Sequence, residues 1–79
     1  MAEETTDATR LECEDVADRL NLIASELRNG DSMDVTVGNK SITLNPPSSV
    51  NYRIDVVETQ RRFRGDRETV RVELDWQPE

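Results

Sequence analysis

A chain of 79 residues makes one domain, with a core near the lower limit for unassisted stability. Hydrophobic and charged residues each make up 34% of it, and 17 Asp+Glu against 10 Lys+Arg leave a net charge of −7, a balance that disfavours nucleic acid as a partner. A single Cys excludes an internal disulfide, and the lack of any His removes the usual general base and triad member.

Taken in order, Met1 to Ala8 is acidic and aperiodic and reads as a disordered tail, leaving 9–79 as the domain. Thr9-Arg10-Leu11-Glu12 fits a capping box, with Thr9 as N-cap and Glu12 reaching back. Cys13, Val16, Ala17, Leu20, Ile23, Ala24 and Leu27 then form the stripe of an amphipathic helix over about residues 10–29. Glu12, Glu14 and Asp15 in its first turn and Arg28 in its last favour the helix dipole, and Asn29-Gly30 supplies a left-handed stop. Leu11 and Leu22 fall off the stripe on one line of the far face. They are either scattered surface leucines or a subunit contact.

Met33, Val35 and Val37 alternate, as do Ile42 and Leu44, around Gly38-Asn39, a two-residue hairpin loop with Gly first. That loop pairs Val37 with Lys40, Val35 with Ile42 and Met33 with Leu44, all on one face. Asn45-Pro46-Pro47-Ser48-Ser49 ends the hairpin, because Pro cannot serve a central ladder. Tyr52, Ile54 and Val56 alternate again. A loop at 63–65 would pair Tyr52 with Trp76, Ile54 with Leu74 and Val56 with Val72, at the expense of setting Arg61 opposite Arg67.

The last strand is the clearest signal. Val70, Val72, Leu74 and Trp76 alternate with Arg71, Glu73 and Asp75, the period of a strand with one buried and one wet face. Trp76, the chain's only Trp, is expected to anchor the core. The fold class is therefore α+β: one N-terminal amphipathic helix packed on a four-stranded antiparallel sheet made of two hairpins.

Three segments together resemble a known family. They are the Leu-Ile-Ala-Ser-Glu-Leu-Arg-Asn-Gly helix end, the Ile-Thr-Leu-Asn-Pro-Pro step and the Val-Arg-Val-Glu-Leu-Asp-Trp-Gln-Pro-Glu terminus. Over about residues 9–79 they look like the amphi-Trp domain, named for an amphipathic strand leading to a Trp. The resemblance implies a small, acidic, cytoplasmic protein of uncharacterised function, of a kind common in haloarchaea, and it carries over no catalytic residue. Arg61-Arg62-Phe63-Arg64 is more basic than the family pattern suggests at this turn.

Candidate chemistry is sparse. Cys13 sits on the apolar stripe and reads as a buried structural thiol rather than a nucleophile. One Cys and no His cannot build a structural zinc site, and Asp31 and Asp34 lack the spacing of a calcium loop. Three scattered Gly make no phosphate loop. Asn39-Lys40-Ser41 and Arg64-Gly65-Asp66 match a glycosylation sequon and an adhesion tripeptide but read as turns. No catalytic residue, metal, cofactor or small-molecule ligand is expected, and the chain is read as no enzyme. With no basic start leading into an apolar run and no stretch long enough to span a bilayer, a cytoplasmic location without membrane attachment is expected.

The turn is the strongest functional hint. Arg61, Arg62, Arg64 and Arg67 stand against Asp66 alone, with Phe63 among them. Such a tip could dock an acidic protein patch, dock a phosphate backbone and stack a base, or simply be solvated. The acidic remainder of the chain argues against nucleic acid. The expected function is a non-enzymatic domain acting by protein–protein interaction or homodimerisation, its partner unknown or itself. The alternative is a nucleic-acid-associated regulator using the turn at 61–67.

Nine of the ten bases are Arg and only Lys40 is Lys, and an acidic surface so short of Lys resembles proteins from salt-loving archaea. Carboxylates at Glu12, Glu14, Asp15 and Asp18 repel one another over about 10 Å at 0.1 M salt, and compaction brings them together. The melting midpoint should therefore rise with salt. Screening alone saturates by a few tenths molar, whereas strengthened apolar burial grows towards molar salt and depends on the ion. Circular dichroism melts from about 0.05 to 3 M KCl, repeated in sulfate, measure both components. A midpoint flat across that range would leave an ordinary acidic domain.

Overall fold

The computed structural model describes residues 3–60 and 65–78. One α-helix, α1 (Cys13–Asn29), precedes four strands: β1 (Met33–Val37), β2 (Lys40–Leu44), β3 (Asn51–Thr59) and β4 (Arg67–Asp75). The α+β class and the two antiparallel hairpins are as the alternation predicts. The hairpins, however, form two separate two-stranded sheets rather than one sheet of four strands. Pro46 and Pro47 stand between β2 and β3 and offer no backbone N–H to a continuous ladder.

The helix also starts later than the capping box suggests. Its N-cap is Glu12, in extended conformation (φ −63°, ψ 149°) and without a side-chain cap, and the Val16 N–H donates to the Glu12 carbonyl at 3.1 Å. Thr9 caps nothing here. A cap is worth only about 1 kcal/mol, and the preceding segment lies instead beside the first hairpin. Glu3 and Thr5 share a shallow groove with Val35, Val37, Ile42 and Leu44, and Asp7 borders Gly38. At the other end Gly30, left-handed at φ 82°, stops the helix as expected.

The first hairpin has the predicted register: Val37 pairs with Lys40, Val35 with Ile42 and Met33 with Leu44. Gly38 makes this possible. Its φ of 60° is the left-handed value that the first position of a two-residue hairpin loop demands. In an antiparallel ladder, residues alternate between pointing their N–H groups at the partner strand and away from it. Counted from the turn, Asp34 points away from β2. Its N–H donates to Glu26 Oε1 on α1 at 3.0 Å, so the helix occupies an edge group that the hairpin leaves unpaired. The Thr43 hydroxyl donates to Asp34 Oδ1 at 2.6 Å across the ladder, and Asn29 Nδ2 donates to Glu26 Oε2 at 3.4 Å. Met33 lies next to this junction and, among the described residues, is the only fully buried side chain, at 2% exposure.

The second hairpin departs from the predicted register by two residues. Tyr52 pairs with Leu74, Ile54 with Val72 and Val56 with Val70, and the ladder closes at Thr59 and Arg67. Part of the expected loop at 63–65, and Arg61 with it, lies outside the described residues. Cross-strand charge explains the shift. The observed register sets Arg53 opposite Glu73 and Asp55 opposite Arg71, both attractive. The predicted one would have kept Arg53 opposite a carboxylate, Asp75, but would have set Asp55 opposite Glu73. The observed register has one repulsive pair, Glu58 with Glu68.

Shortening Met33 should be felt out of proportion to its size, because no other described side chain is fully buried. Met33→Ala should cost about 2 kcal/mol, the low end for a buried Met because its surroundings can collapse, whereas Met33→Leu should cost less than about 1.5 kcal/mol. Urea titration followed by circular dichroism reads both. Equal midpoints for Met33→Ala and the parent chain would show that the junction of α1 and β1 adds nothing to stability.

Candidate functional site

The β3–β4 ribbon separates charged from apolar side chains except near its turn, where Val57 lies on the odd-numbered face and Glu58 and Glu68 on the even-numbered one. Along its central stretch the odd-numbered face carries Arg53, Asp55, Arg71 and Glu73, whose charges oppose one another across the ladder. Arg53 Nε also lies 3.2 Å from Asp55 Oδ2 on the same strand. These groups are exposed or half-buried, so the ion pair adds little stability. Their mutual compensation still leaves this face without a strong demand for an outside charge.

The even-numbered face is apolar, formed by Tyr52, Ile54 and Val56 on β3 with Leu74, Val72 and Val70 on β4. It is also wet. Tyr52 is 63% exposed, Ile54 50%, Val56 64%, Val70 65% and Val72 54%, while Leu74 is half-buried. Six contiguous apolar side chains in water differ from scattered surface leucines, and patches of this kind mark contact surfaces. Among the described residues, α1 packs against β1, while β3 and β4 pack only against each other. On α1, Val16 and Leu20 are exposed at 42% and 58%.

The chain's dimensions agree. Its accessible surface is 7740 Å², whereas a compact monomer of 9.0 kDa exposes about 4,900 Å². Its radius of gyration is 15.3 Å against about 12 Å for a compact chain of this length, and its extents are 48 × 27 × 23 Å.

The residues singled out from sequence are not gathered into one site. Arg61, Arg62, Phe63 and Arg64 lie outside the described residues. Arg67 opens β4, exposed and paired with Thr59. Leu11 is half-buried and precedes α1, so its spacing to Leu22 does not place the two on one helical line. Leu22 is 67% exposed and borders a groove with Val35 and Thr36. Trp76 lies one residue beyond β4 and is half-buried. Cys13, expected to be buried on the stripe, is exposed, because it opens the helix where the stripe has no cover.

Among the described residues no three Cys, Asp or Glu side chains converge on a point that could hold a metal, and no helix is long and apolar enough to cross a membrane. The alternation of β3 and β4 did disclose the apolar face. It did not disclose that the face has no cover among the described residues, although the Pro46-Pro47 break between the hairpins was the available signal.

No curated protein and no solved structure gives a significant match to the chain. The amphipathic last strand running into Trp76 fits the family resemblance, and the model of the Amphi-Trp domain matches residues 1–79, so the chain belongs to the Amphi-Trp domain family.

Proposed function

We propose that this chain is a non-catalytic domain that works through protein–protein contact in a salt-rich cytoplasm, and that the apolar face of β3–β4 is its docking surface. The supporting observation is that five of the six side chains of that face are at least half exposed. Burying such a face releases roughly 25 cal/mol for each Å² of apolar surface removed from water. The opposite face balances its own charges, so a protein partner would be held by apolar contact and would tolerate high salt, which weakens a purely ionic contact. The lack of His and the absence of converging acid and thiol groups among the described residues favour binding over catalysis. A nucleic-acid-associated role for the turn at 61–67 is the competing reading.

The test is affinity capture from the source cells at their own salt concentration, in nuclease-treated and untreated halves. The parent chain should retain a protein that resists nuclease, and Ile54→Asp or Val72→Asp should release it. Both substitutions fall at exposed positions, so the variants should keep their circular dichroism spectrum. Capture lost to nuclease, and lost equally when Arg61, Arg62, Arg64 and Arg67 are replaced by Gln, would move the function to the turn.

A further inference from the structure

We infer that the occupant of the β3–β4 face is the same face of a second copy of this chain, in a two-fold symmetric dimer. This rests on that face being the docking surface. Three observations select a second copy.

The first is area. The chain exposes about 2,800 Å² more than a compact monomer of its mass. Six side chains with roughly 100 Å² each give about 600 Å² per chain, so two faces bury about 1,200 Å², the lower bound of a stable specific interface. A self-paired ribbon meets that bound without contributions from α1. The exposed part of the α1 stripe is Cys13, Val16, Ala17, Leu20 and Ala24, of which only Val16 and Leu20 are large, and it is flanked by Glu12, Asp15 and Asp18. It is too small and too acidic to cover the ribbon.

The second is charge. Two chains of −7 repel unless they meet where charge is absent. The stretches Tyr52–Val56 and Val70–Leu74 present no charge on the even face. Arg53, Asp55, Arg71 and Glu73 all lie on the odd one. A partner of opposite charge would be selected by an unbalanced charged face, and this ribbon does not present one.

The third is shape. A two-stranded ribbon is twisted, and its twin has the same twist and the same length, so the two apolar faces can pack about 10 Å apart. Glu58 and Glu68 occupy one end of the apolar face. A two-fold axis that runs the ribbons in opposite directions keeps the two glutamate pairs at opposite ends. Such an interface is isologous and closes at two chains.

Analytical ultracentrifugation of the full chain in about 2 M KCl, from micromolar to millimolar concentration, reads the mass. Nuclear Overhauser contacts in a mixture of labelled and unlabelled chains read which methyls meet. The expected result is twice the chain mass, with intermolecular contacts among Ile54, Val56, Val70 and Val72. Ile54→Asp and Val72→Asp should each weaken self-association by about a hundredfold or more. A soluble paramagnetic probe applied to the parent chain needs no variant to fold. In the dimer it should fail to reach those methyls. A monomer at millimolar concentration with the methyls open to the probe overturns self-pairing and leaves the docking face to another protein. A monomer whose own chain shields the methyls overturns both. A dimer whose intermolecular contacts omit the ribbon face overturns the inference.

Discussion

Two antiparallel strands satisfy half of their backbone groups against each other and cannot cover either of their own faces, and this limit governs the chain beyond Leu44. The β3–β4 ribbon is long by the standard of strands, with nine residues on each side. An isolated hairpin is marginal in water even so. Its register is chosen by charge on one face, while the other face carries five of the nine large apolar side chains that are exposed among the described residues. What covers that face therefore decides how stable the C-terminal half is.

The N-terminal half meets the same limit differently. Its hairpin is short, five residues to a strand, and leaves an edge that would otherwise be open. Glu26 on α1 accepts from the outward Asp34 N–H, and Asp34 in turn accepts from Thr43 on β2. A carboxylate that accepts from a backbone N–H makes a stronger bond than a neutral acceptor would. It ties helix and hairpin at one end, and Met33 is buried beside the tie. The segment Glu3–Asp7 lines the first hairpin near Val37 and Gly38. Among the described residues one unit thus has a small core of its own and the ribbon has none.

Much of this was legible in the residues. Gly38-Asn39 allowed only one short loop, and so the first register followed from it. The second loop had no such constraint. Parity required opposed positions to sum to an even number, which left registers two residues apart in competition. Asp55 was the deciding residue, facing Arg71 in the observed register and Glu73 in the predicted one, whereas Arg53 faces a carboxylate in both, and this is visible in the sequence once charge is weighed as heavily as apolar phase. Thr9 and Glu12 form a valid capping box that the structure does not use, since a cap of about 1 kcal/mol yields to longer-range contacts. The apolar face of β3–β4 was read correctly as a face and wrongly as part of a shared core. Alternation states which side of a strand avoids water but not what lies against it. For the arginine-rich turn, the sequence supplied composition and nothing about geometry.

The separation of the two hairpins also has a kinetic meaning. Every strand pairs with its neighbour in the chain, and neither ladder reaches across Pro46-Pro47. Contacts of such short sequence separation form quickly, with hairpin closure on a scale of about 1–10 μs. Each hairpin can close without waiting for the other, so the unit from α1 to β2 can form on the ribosome before β4 has been synthesised. Strand pairing within the chain is then not expected to be slow. Docking of a partner onto the ribbon is a bimolecular encounter, and its rate scales with how many chains the cell contains rather than with how any one of them is threaded.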